Sequence, residues 1–465
     1  MRRFCFIVLL GMAGCLQAAA APLTFDAAAG ERRTMTAPDG RSVAYTAYER
    51  IYYVSEVEDS TYQTMNIFVP DGADGNTPVF LKTNVGGYMA SAASQIRPGD
   101  VTGRALAEGY VVAIPGCRGR NAVVTGPDGS RRYTGKAPAA ILDLKAAVRY
   151  LRANDSRMPG NAERIITDGT SAGGALSALL GATGNHPDYA PMLQAMGAAE
   201  ARDDVFAAVC FCPITDLEHA DMSYEWLFSS ANERRRLNAA QTAVSEQLTR
   251  DFSAYLHELQ IRDSDGAIVT ESNYIDFVGS FVLSAAQQAA AKGATLPADA
   301  GFTVQDGRVT AFDFVQYLDW MAAAVRLKTP PAFDAMQVAG GRTTPENDLF
   351  GDTDGTPRHF TDFGLQQTSG DRDAHVSADM TARVRMMNPM GYIEDAAADT
   401  APHWYIRHGS RDGDTAFTVP VNLYAKLQAN RYDVDFCIAW DRPHGGDYDL
   451  DELFAWIRQI TAQDR

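Results

Sequence analysis

Short apolar runs alternate with helical patterns over the first two hundred or so residues of this chain. Runs typical of buried strands occur at 44–54, 65–69, 78–83, 110–114, 164–168 and 206–212. After Pro138, the residues Ile141, Leu144, Val148 and Leu151 recur at the spacing of one helix face. A second helical pattern of small residues begins directly after the strand 164–168. This succession of strand and helix predicts a parallel sheet.

The same rhythm returns near the end of the chain after a long interruption. Strand patterns at 404–408 and 434–440 are each followed by a helical pattern, at 419–430 and 450–461. The interrupting segment is mostly helical, with patterns at 222–237, 240–259 and 312–327. We therefore predict an α/β fold with a doubly wound, mostly parallel sheet and a large, mainly helical lid inserted in it. The predicted boundaries are 1–20 for a leader, 21–213 and 392–465 for the two parts of the core, and 214–391 for the lid.

The first twenty residues have the pattern of an export signal. Arg2 and Arg3 precede the apolar run 4–11, and the alanines at 18–20 supply a small-residue cleavage site. This pattern predicts an exported protein, periplasmic or secreted. A second interpretation stays open, because the four residues ending at Cys15 resemble a bacterial lipobox, which would anchor the chain to a membrane through Cys15.

Charge and cysteine content limit the partners of the chain. Its net charge is −17, and such a surface repels phosphate backbones, so nucleic acid is not an expected partner. Beyond the leader the cysteines are Cys117, Cys210, Cys212 and Cys437. Cys210 and Cys212 alternate along a strand, face opposite sides and cannot pair with each other without distortion. A disulfide between other pairs stays open, and the spacings predict neither a metal site nor a cofactor.

The sequence GTSAGG at 169–174 predicts the position of a nucleophile. A strand, a sharp turn and a helix around Ser171 form the arrangement in which α/β-hydrolases present a reactive serine. Glycines at 169 and 173 are expected because the turn leaves no room for a Cβ on either side. The backbone N–H of Ala172 and that of Gly86, in the loop after the strand 78–83, would form the oxyanion hole, with Gly87 as the alternative to Gly86.

A serine nucleophile requires a base and a carboxylate that orients it. His444 follows the last strand and Asp412 follows the strand before it, so the order Ser171, Asp412, His444 is that of an α/β-hydrolase triad. Asp414 and Asp216 are alternatives for the acid, and Asp216 is better explained as a helix cap or loop turn. Structural roles are expected for the remaining histidines considered, which are His359, His375 and His408.

With these residues placed, the chain resembles bacterial tannases, which are α/β-hydrolases that act on gallate esters. The matching segments are GTSAGG (169–174), PGCRGR (115–120), GKAP (135–138), KTPPAFD (328–334), ENDLFG (346–351), NPM (388–390) and RDGD (411–414). The resemblance implies that Lys328, Glu346 and Asp414 bind the hydroxyl groups of the galloyl ring. Fungal tannases differ, since they carry cysteines where this chain has Thr170 and Gly445.

The resemblance leads to one expected function and three alternatives. We expect a serine esterase that cleaves gallate esters through an acyl-enzyme on Ser171, needs no cofactor and takes a small-molecule polyphenol ester as its partner. The alternatives are an esterase for other aromatic acids such as ferulate, an exported serine peptidase, and a non-catalytic binding protein. The complete set of Ser171, Asp412 and His444 disfavours the last of these. The sequence does not indicate an oligomeric state.

Overall fold

The computed structural model describes residues 23–263 and 266–463. The predicted leader 1–20, including Cys15, lies outside the described residues. The strands are β1 Glu31–Thr36, β2 Ser42–Tyr52, β3 Thr64–Pro70, β4 Pro78–Thr83, β5 Val111–Pro115, β6 Val123–Thr125, β7 Arg131–Tyr133, β8 Asn161–Thr170, β9 Ala207–Phe211, β10 Phe302–Gln305, β11 Arg308–Phe312, β12 His403–Arg411 and β13 Asp433–Pro443. The α-helices are α1 Val101–Ala107, α2 Ala139–Ala153, α3 Ala172–Ala182, α4 Ala190–Ala195, α5 Leu217–Phe228, α6 Asn232–Arg235, α7 Ala239–Leu259, α8 Glu271–Ala291, α9 Phe314–Ala324, α10 Pro345–Leu349, α11 Asp362–Ser369, α12 Ala378–Arg385, α13 Thr418–Ala429 and α14 Leu450–Gln463.

A nine-stranded sheet forms the centre of the described chain, in the order β1-β2-β3-β5-β4-β8-β9-β12-β13. The strands from β5 to β13 in this order are parallel, and β1, β2 and β3 pair antiparallel at one end. The predicted mostly parallel sheet is therefore confirmed. Because the carboxyl ends of parallel strands meet at one edge, the loops after β4, β8, β9, β12 and β13 all lie on the same side of the sheet.

Both faces of the sheet are buried, which explains why its strands have continuous apolar sequences. In β5, Val111 and Ala113 pack in one core cluster, and Val112 and Ile114 pack in another on the opposite face. Helices α2 and α3 contribute to the first core, while α1 and α14 contribute to the second. The sheet thus holds its loops between two helical layers.

The elements between β9 and β12 differ in part from the sequence prediction. Helices α7 and α9 lie where the patterns 240–259 and 312–327 predicted them, but the single helix predicted at 222–237 is wrong. Helix α5 ends at Phe228, where two serines follow. The short α6 ends at Arg235, before Arg236, whose φ of 54° is left-handed. Helix α8 and the hairpin β10–β11 also lie in this segment. Within residues 23–263 and 266–463, every helix is too short or too polar to span a membrane.

Candidate active site

Ser171 lies in a tight turn between the central strand β8 and helix α3. Its φ of 60° and ψ of −121° place it in a conformation that few residues other than glycine adopt. A Cβ on Gly173 would lie 2.8 Å from the backbone oxygens of Thr83 and Val85, and one on Gly169 would overlap the oxygen of Gly173. Close packing against β4, rather than a positive φ, therefore explains both glycines.

His444 is hydrogen-bonded to Asp412, the first acidic residue after β12. The distance between His444 Nδ1 and Asp412 Oδ2 is 2.7 Å. The other carboxylate oxygen accepts the backbone N–H groups of Asp414 and Thr415, at 2.8 and 3.0 Å. Burial alone would raise the pKa of Asp412, but His408 and His444 outweigh burial and lower it to about 2. Asp412 is therefore ionised and oriented toward His444, whereas the carboxylate of the alternative Asp414 is not bonded to that histidine.

The second alternative acid, Asp216, belongs to a different group of side chains. Its carboxylate accepts hydrogen bonds from His219 Nδ1 at 2.7 Å, from Asn388 Nδ2 at 2.8 Å and from the hydroxyl of Tyr255. It stands at the N-terminus of α5 with a φ of 56°, and its side chain does not cap that helix. Asp216 thus lies directly before α5, and its hydrogen bond with Tyr255 links α5 to α7.

The loop of His444 packs against the residue before Ser171. A Cβ on Gly446 would overlap Thr170 Oγ1, so the backbone of the His444 loop packs directly against the side chain of Thr170. Within the described residues, Ser171 Oγ makes no hydrogen bond to His444 or to any other group. Hydrogen bonds of this kind are often long without substrate and tighten when the substrate is bound. The packing of Gly446 on Thr170 brings the turn that carries Ser171 close to the Asp412–His444 pair.

A buried ion pair that the sequence analysis missed fixes the His444 loop to the sheet. Lys82 in β4 is nearly buried and pairs with Asp168 in β8 and with Asp447, three residues after His444, at 2.8 Å. Burial lowers the pKa of Lys82, but these two carboxylates outweigh burial and raise it above its ordinary value. Lys82 and Asp168 are charged residues inside the otherwise apolar runs 78–83 and 164–168, and this exception in the pattern could have indicated that they pair.

The two predicted oxyanion donors lie in neighbouring loops. Gly173 N donates to Val85 O at 2.9 Å, which joins the loop after β4 to the serine turn. In the described part of the chain, the backbone N–H groups of Gly86 and Ala172 have no protein acceptor. Gly87, the alternative donor, has a φ of 54° and directly follows Gly86. Free N–H groups at the start of a helix and in an adjacent glycine loop suit a developing negative charge.

A cavity of about 980 Å³ brings together the three residues that the resemblance implicates in ring binding. Lys328, Glu346 and Asp414 line it, together with several arginines and the proline pair 330–331. Ser171 and His444 are not among its lining residues. Asp414 connects the cavity to the Asp412–His444 pair, because its backbone N–H is bonded to Asp412.

Tyr224 on α5 couples Lys328 to the loop that carries Asp412. Its hydroxyl donates to Gly413 O at 2.6 Å and accepts the backbone N–H of Lys328 at 2.9 Å. Arg235 donates to the carbonyl of Lys328 at 2.6 Å. The ammonium of Lys328 lies 4.2 Å from the centre of the Phe333 ring, a cation–π contact, and among the described residues its N–H groups have no hydrogen-bond acceptor.

Glu346 is a buried carboxyl in the first turn of α10. Thr344 Oγ1 caps this turn by accepting the N–H of Asn347 at 3.1 Å, which fixes the position of Glu346. Burial raises the pKa of Glu346, and Lys328 and Arg120 oppose that rise. A buried carboxyl beside a lysine can accept a hydrogen bond from a phenol hydroxyl group.

The remaining histidines considered and the cysteines have structural surroundings. His359 is buried and bonded to Asp334 at 2.7 Å, and the exposed His375 is bonded to Asp362 at 2.6 Å. His408 is fully buried, edge-on to the Phe417 ring and beside Asp412. The cysteines of the described chain are free thiols: Cys117, Cys210, Cys212 and Cys437.

Comparison with known proteins decides the family. The sequence profile of the BD-FAE family, a family of α/β hydrolases, matches residues 65–257. The solved structure of Fusobacterium nucleatum tannase superposes with a TM-score of 0.86 at 37% sequence identity, covering 94% of this chain and 99% of that one. This chain belongs to the bacterial tannase family. The similarity covers nearly the whole length of the relative and is not limited to the turn around Ser171.

Other members of the tannase family agree in length and fold. Tannin acyl hydrolase from Lactobacillus plantarum is 36% identical, with a TM-score of 0.84 and coverage of 94% of this chain and 99% of that chain. A tannin acyl hydrolase solved in complex with ethyl gallate has the same identity, TM-score and coverage.

Among curated proteins, esterase LipC of Mycobacterium tuberculosis is 48% identical over 52 residues, which is 11% of this chain and 13% of LipC.

Proposed function

We propose that this member of the tannase family hydrolyses gallate esters through an acyl-enzyme on Ser171. The observation that carries the proposal is the cavity lined by Lys328, Glu346 and Asp414, which is joined to the Asp412–His444 pair through Asp414. A solved relative with the same coverage binds ethyl gallate. The alternatives of a peptidase and of a binding protein lack any comparable observation.

The proposed reaction uses one nucleophile, one base and one orienting carboxylate. Ser171 Oγ attacks the ester carbonyl while His444 takes its proton, and Asp412 holds the ring of His444 and stabilises its protonated form. The backbone N–H groups of Ala172 and Gly86 stabilise the negative charge on the carbonyl oxygen. His444 returns the proton to the departing alcohol, and a water molecule then releases gallate from Ser171 by the reverse sequence of proton transfers.

Recognition of the galloyl ring is assigned to the three charged residues of the cavity. The carboxylates of Glu346 and Asp414 accept hydrogen bonds from ring hydroxyl groups, and the ammonium of Lys328 donates to a phenol oxygen. Feruloyl esters lack the third ring hydroxyl and carry a methoxy group, so they leave part of this set unpaired. A buried polar group without its partner costs about 1–3 kcal/mol, which favours gallate over ferulate by roughly 10- to 100-fold.

Two broader proposals accompany this function. The elements of residues 214–391 form the predicted lid, since they supply Lys328 and Glu346, while the core supplies Ser171, Asp412 and His444. The signal pattern at 1–20 indicates export, with anchoring through Cys15 as the alternative, and a polyphenol ester met outside the cytoplasm fits that location.

The substrate assignment can be tested by comparing methyl gallate with methyl ferulate. We expect kcat/KM to be roughly 10- to 100-fold higher for methyl gallate, and Glu346→Gln to remove most of that preference while retaining hydrolysis of 4-nitrophenyl acetate. Asp348→Asn, two residues away and paired with Arg120 at 2.9 Å, is the matched control. Equal rates on both methyl esters would contradict the gallate assignment.

A further inference from the structure

A thiol that the proposed hydrolysis does not use lies against the Asp412–His444 pair. Cys212 directly follows β9, is fully buried and has a φ of 41°. Its Sγ, a carboxylate oxygen of Asp412 and a ring nitrogen of His444 all lie within 4.8 Å of one another. The hydroxyl of Tyr448 lies 3.6 Å from this sulfur, within hydrogen-bonding distance for a thiol.

A second unused side chain completes the group. His408 on β12 is fully buried, and neither of its ring nitrogens has a hydrogen-bond partner in the described part of the chain. Its Nε2 lies 3.7 Å from Asp412 Oδ2. Leaving a buried polar group unpaired costs about 1–3 kcal/mol, so the presence of an unpaired imidazole at this position requires a structural or functional explanation. Cys212, His408, Asp412 and His444 therefore form a cluster of one sulfur, two imidazole and one carboxylate donor, which we call the Cys212 cluster.

We propose that the Cys212 cluster binds a soft divalent cation of the Zn²⁺ type. Thiolate, imidazole and carboxylate are the ligands that Zn²⁺ takes in proteins, usually four in tetrahedral geometry. With bond lengths of about 2.0–2.3 Å, such ligands stand roughly 3.3–3.8 Å apart. The donor atoms of Cys212, Asp412 and His444 lie within 4.8 Å of one another, so they must move closer by about 1.5 Å at most, and His408 Nε2 already lies 3.7 Å from Asp412 Oδ2. Because His444 is partly exposed while the other three are buried, the ion enters through the opening beside His444.

The bound ion would block the esterase, a consequence that rests on the proposed function. On binding, the Cys212 thiol gives its proton to solvent, and a ring nitrogen of His444 donates its lone pair to the metal. The ring is then held by the metal and can no longer take the proton of Ser171. Removal of the ion by a chelator frees His444, so the inhibition is reversible. Cys212, the His408–Asp412 pair and His444 come from three separate parts of the chain, which explains why no spacing in the sequence predicted the full set.

Cobalt titration of the full chain tests the site without using activity. Co²⁺ replaces Zn²⁺ at tetrahedral sites, and its bond to a thiolate gives an intense near-ultraviolet charge-transfer band. We expect the reduced wild-type chain to develop this band at one equivalent of Co²⁺ and to lose it when Zn²⁺ is added. The band should be absent in Cys212→Ser and unchanged in Cys437→Ser, which removes a partly exposed thiol on β13 that is not one of the four cluster residues.

Inhibition of hydrolysis by Zn²⁺ is the second measurement. A second variant, His408→Asn, keeps the test decisive if Cys212→Ser does not fold. The Zn²⁺ concentration that halves hydrolysis should rise at least about tenfold in Cys212→Ser and in His408→Asn, and stay constant in Cys437→Ser. A wild-type chain without the band, or a band that persists in Cys212→Ser, would overturn the proposal. A chain that shows the band but hydrolyses no ester would instead refute the proposed function and leave the metal site standing.

Discussion

Replacing His219 by glutamine tests how the junction between β9 and the helices that follow it is stabilised. His219 Nδ1 lies 2.7 Å from Asp216 Oδ1, and the imidazole stacks on Tyr255 with ring centres 3.8 Å apart. Burial alone would lower the pKa of His219, but Asp216, aided by the acidic residues Glu218 and Glu258, raises it to about 9. Glutamine keeps a hydrogen-bonding side chain of similar length and removes the positive charge.

The magnitude and its pH window follow from this shift. The pKa rises from an ordinary value of 6.5 to about 9, and each unit corresponds to about 1.4 kcal/mol, which gives roughly 3 kcal/mol. About a quarter of the side chain is exposed, so solvent screening reduces the expected contribution to about 2 kcal/mol. Because the folded-state pKa is raised, the contribution is complete below about pH 6.5 and is lost as the pH rises through about 9.

Urea unfolding of wild type and His219→Gln, measured at about pH 6 and about pH 10, gives the required comparison. The free energy of unfolding of wild type should exceed that of His219→Gln by about 2 kcal/mol more at pH 6 than at pH 10. His257→Gln, at an exposed position on α7, is the control and should show no such change. A difference between wild type and His219→Gln that is the same at both pH values would refute the ion pair as the source of stability.

Two further predictions concern the groups around the serine. Asp412→Asn should lower kcat about 10³- to 10⁴-fold in steady-state hydrolysis of methyl gallate, because the amide no longer fixes the orientation of His444. Activity within tenfold of wild type would exclude Asp412 as the orienting acid. Lys82→Met should lower the free energy of unfolding by about 3 kcal/mol, since Asp168 and Asp447 lose their shared cation. An unchanged free energy of unfolding in urea at neutral pH would contradict this expectation.

The sequence predicted the parallel strands well because both faces of each strand are buried. The run 78–83 coincides with β4, and the run 110–114 differs from β5 by one residue at each end. Continuous apolar runs bounded by turns leave few alternatives to a central strand. The order of these strands then brings the loops that carry Ser171, Asp412 and His444 to one edge, as the expected triad requires.

The segment between β9 and β12 was predicted less well, although two signals were available. In α8, the buried residues Tyr274, Val278 and Val282 recur every four positions, a spacing typical of one face of a helix. In the hairpin β10–β11, the pair Asp306 and Gly307 is a typical turn sequence between two strands. Both elements could have been found from local pattern alone.

Other parts of the site depend on contacts between distant residues. Lys82 and Asp447 are 365 positions apart, and their ion pair arises only when β4 and the loop after β13 meet at the edge of the sheet. The same applies to Cys212 beside Asp412 and His444. Sequence patterns report the environment of each element, whereas these pairings depend on the order of strands in the sheet.

The most direct test of the proposed mechanism is to trap the acyl-enzyme. The purified chain without residues 1–20 is mixed with excess methyl gallate, quenched in acid within milliseconds, and analysed by intact-mass and peptide mass spectrometry. Our account predicts gallate release together with one galloyl group per chain, located on Ser171, and neither in Ser171→Ala. Gallate release that persists in Ser171→Ala, or a galloyl group on another residue, would contradict it.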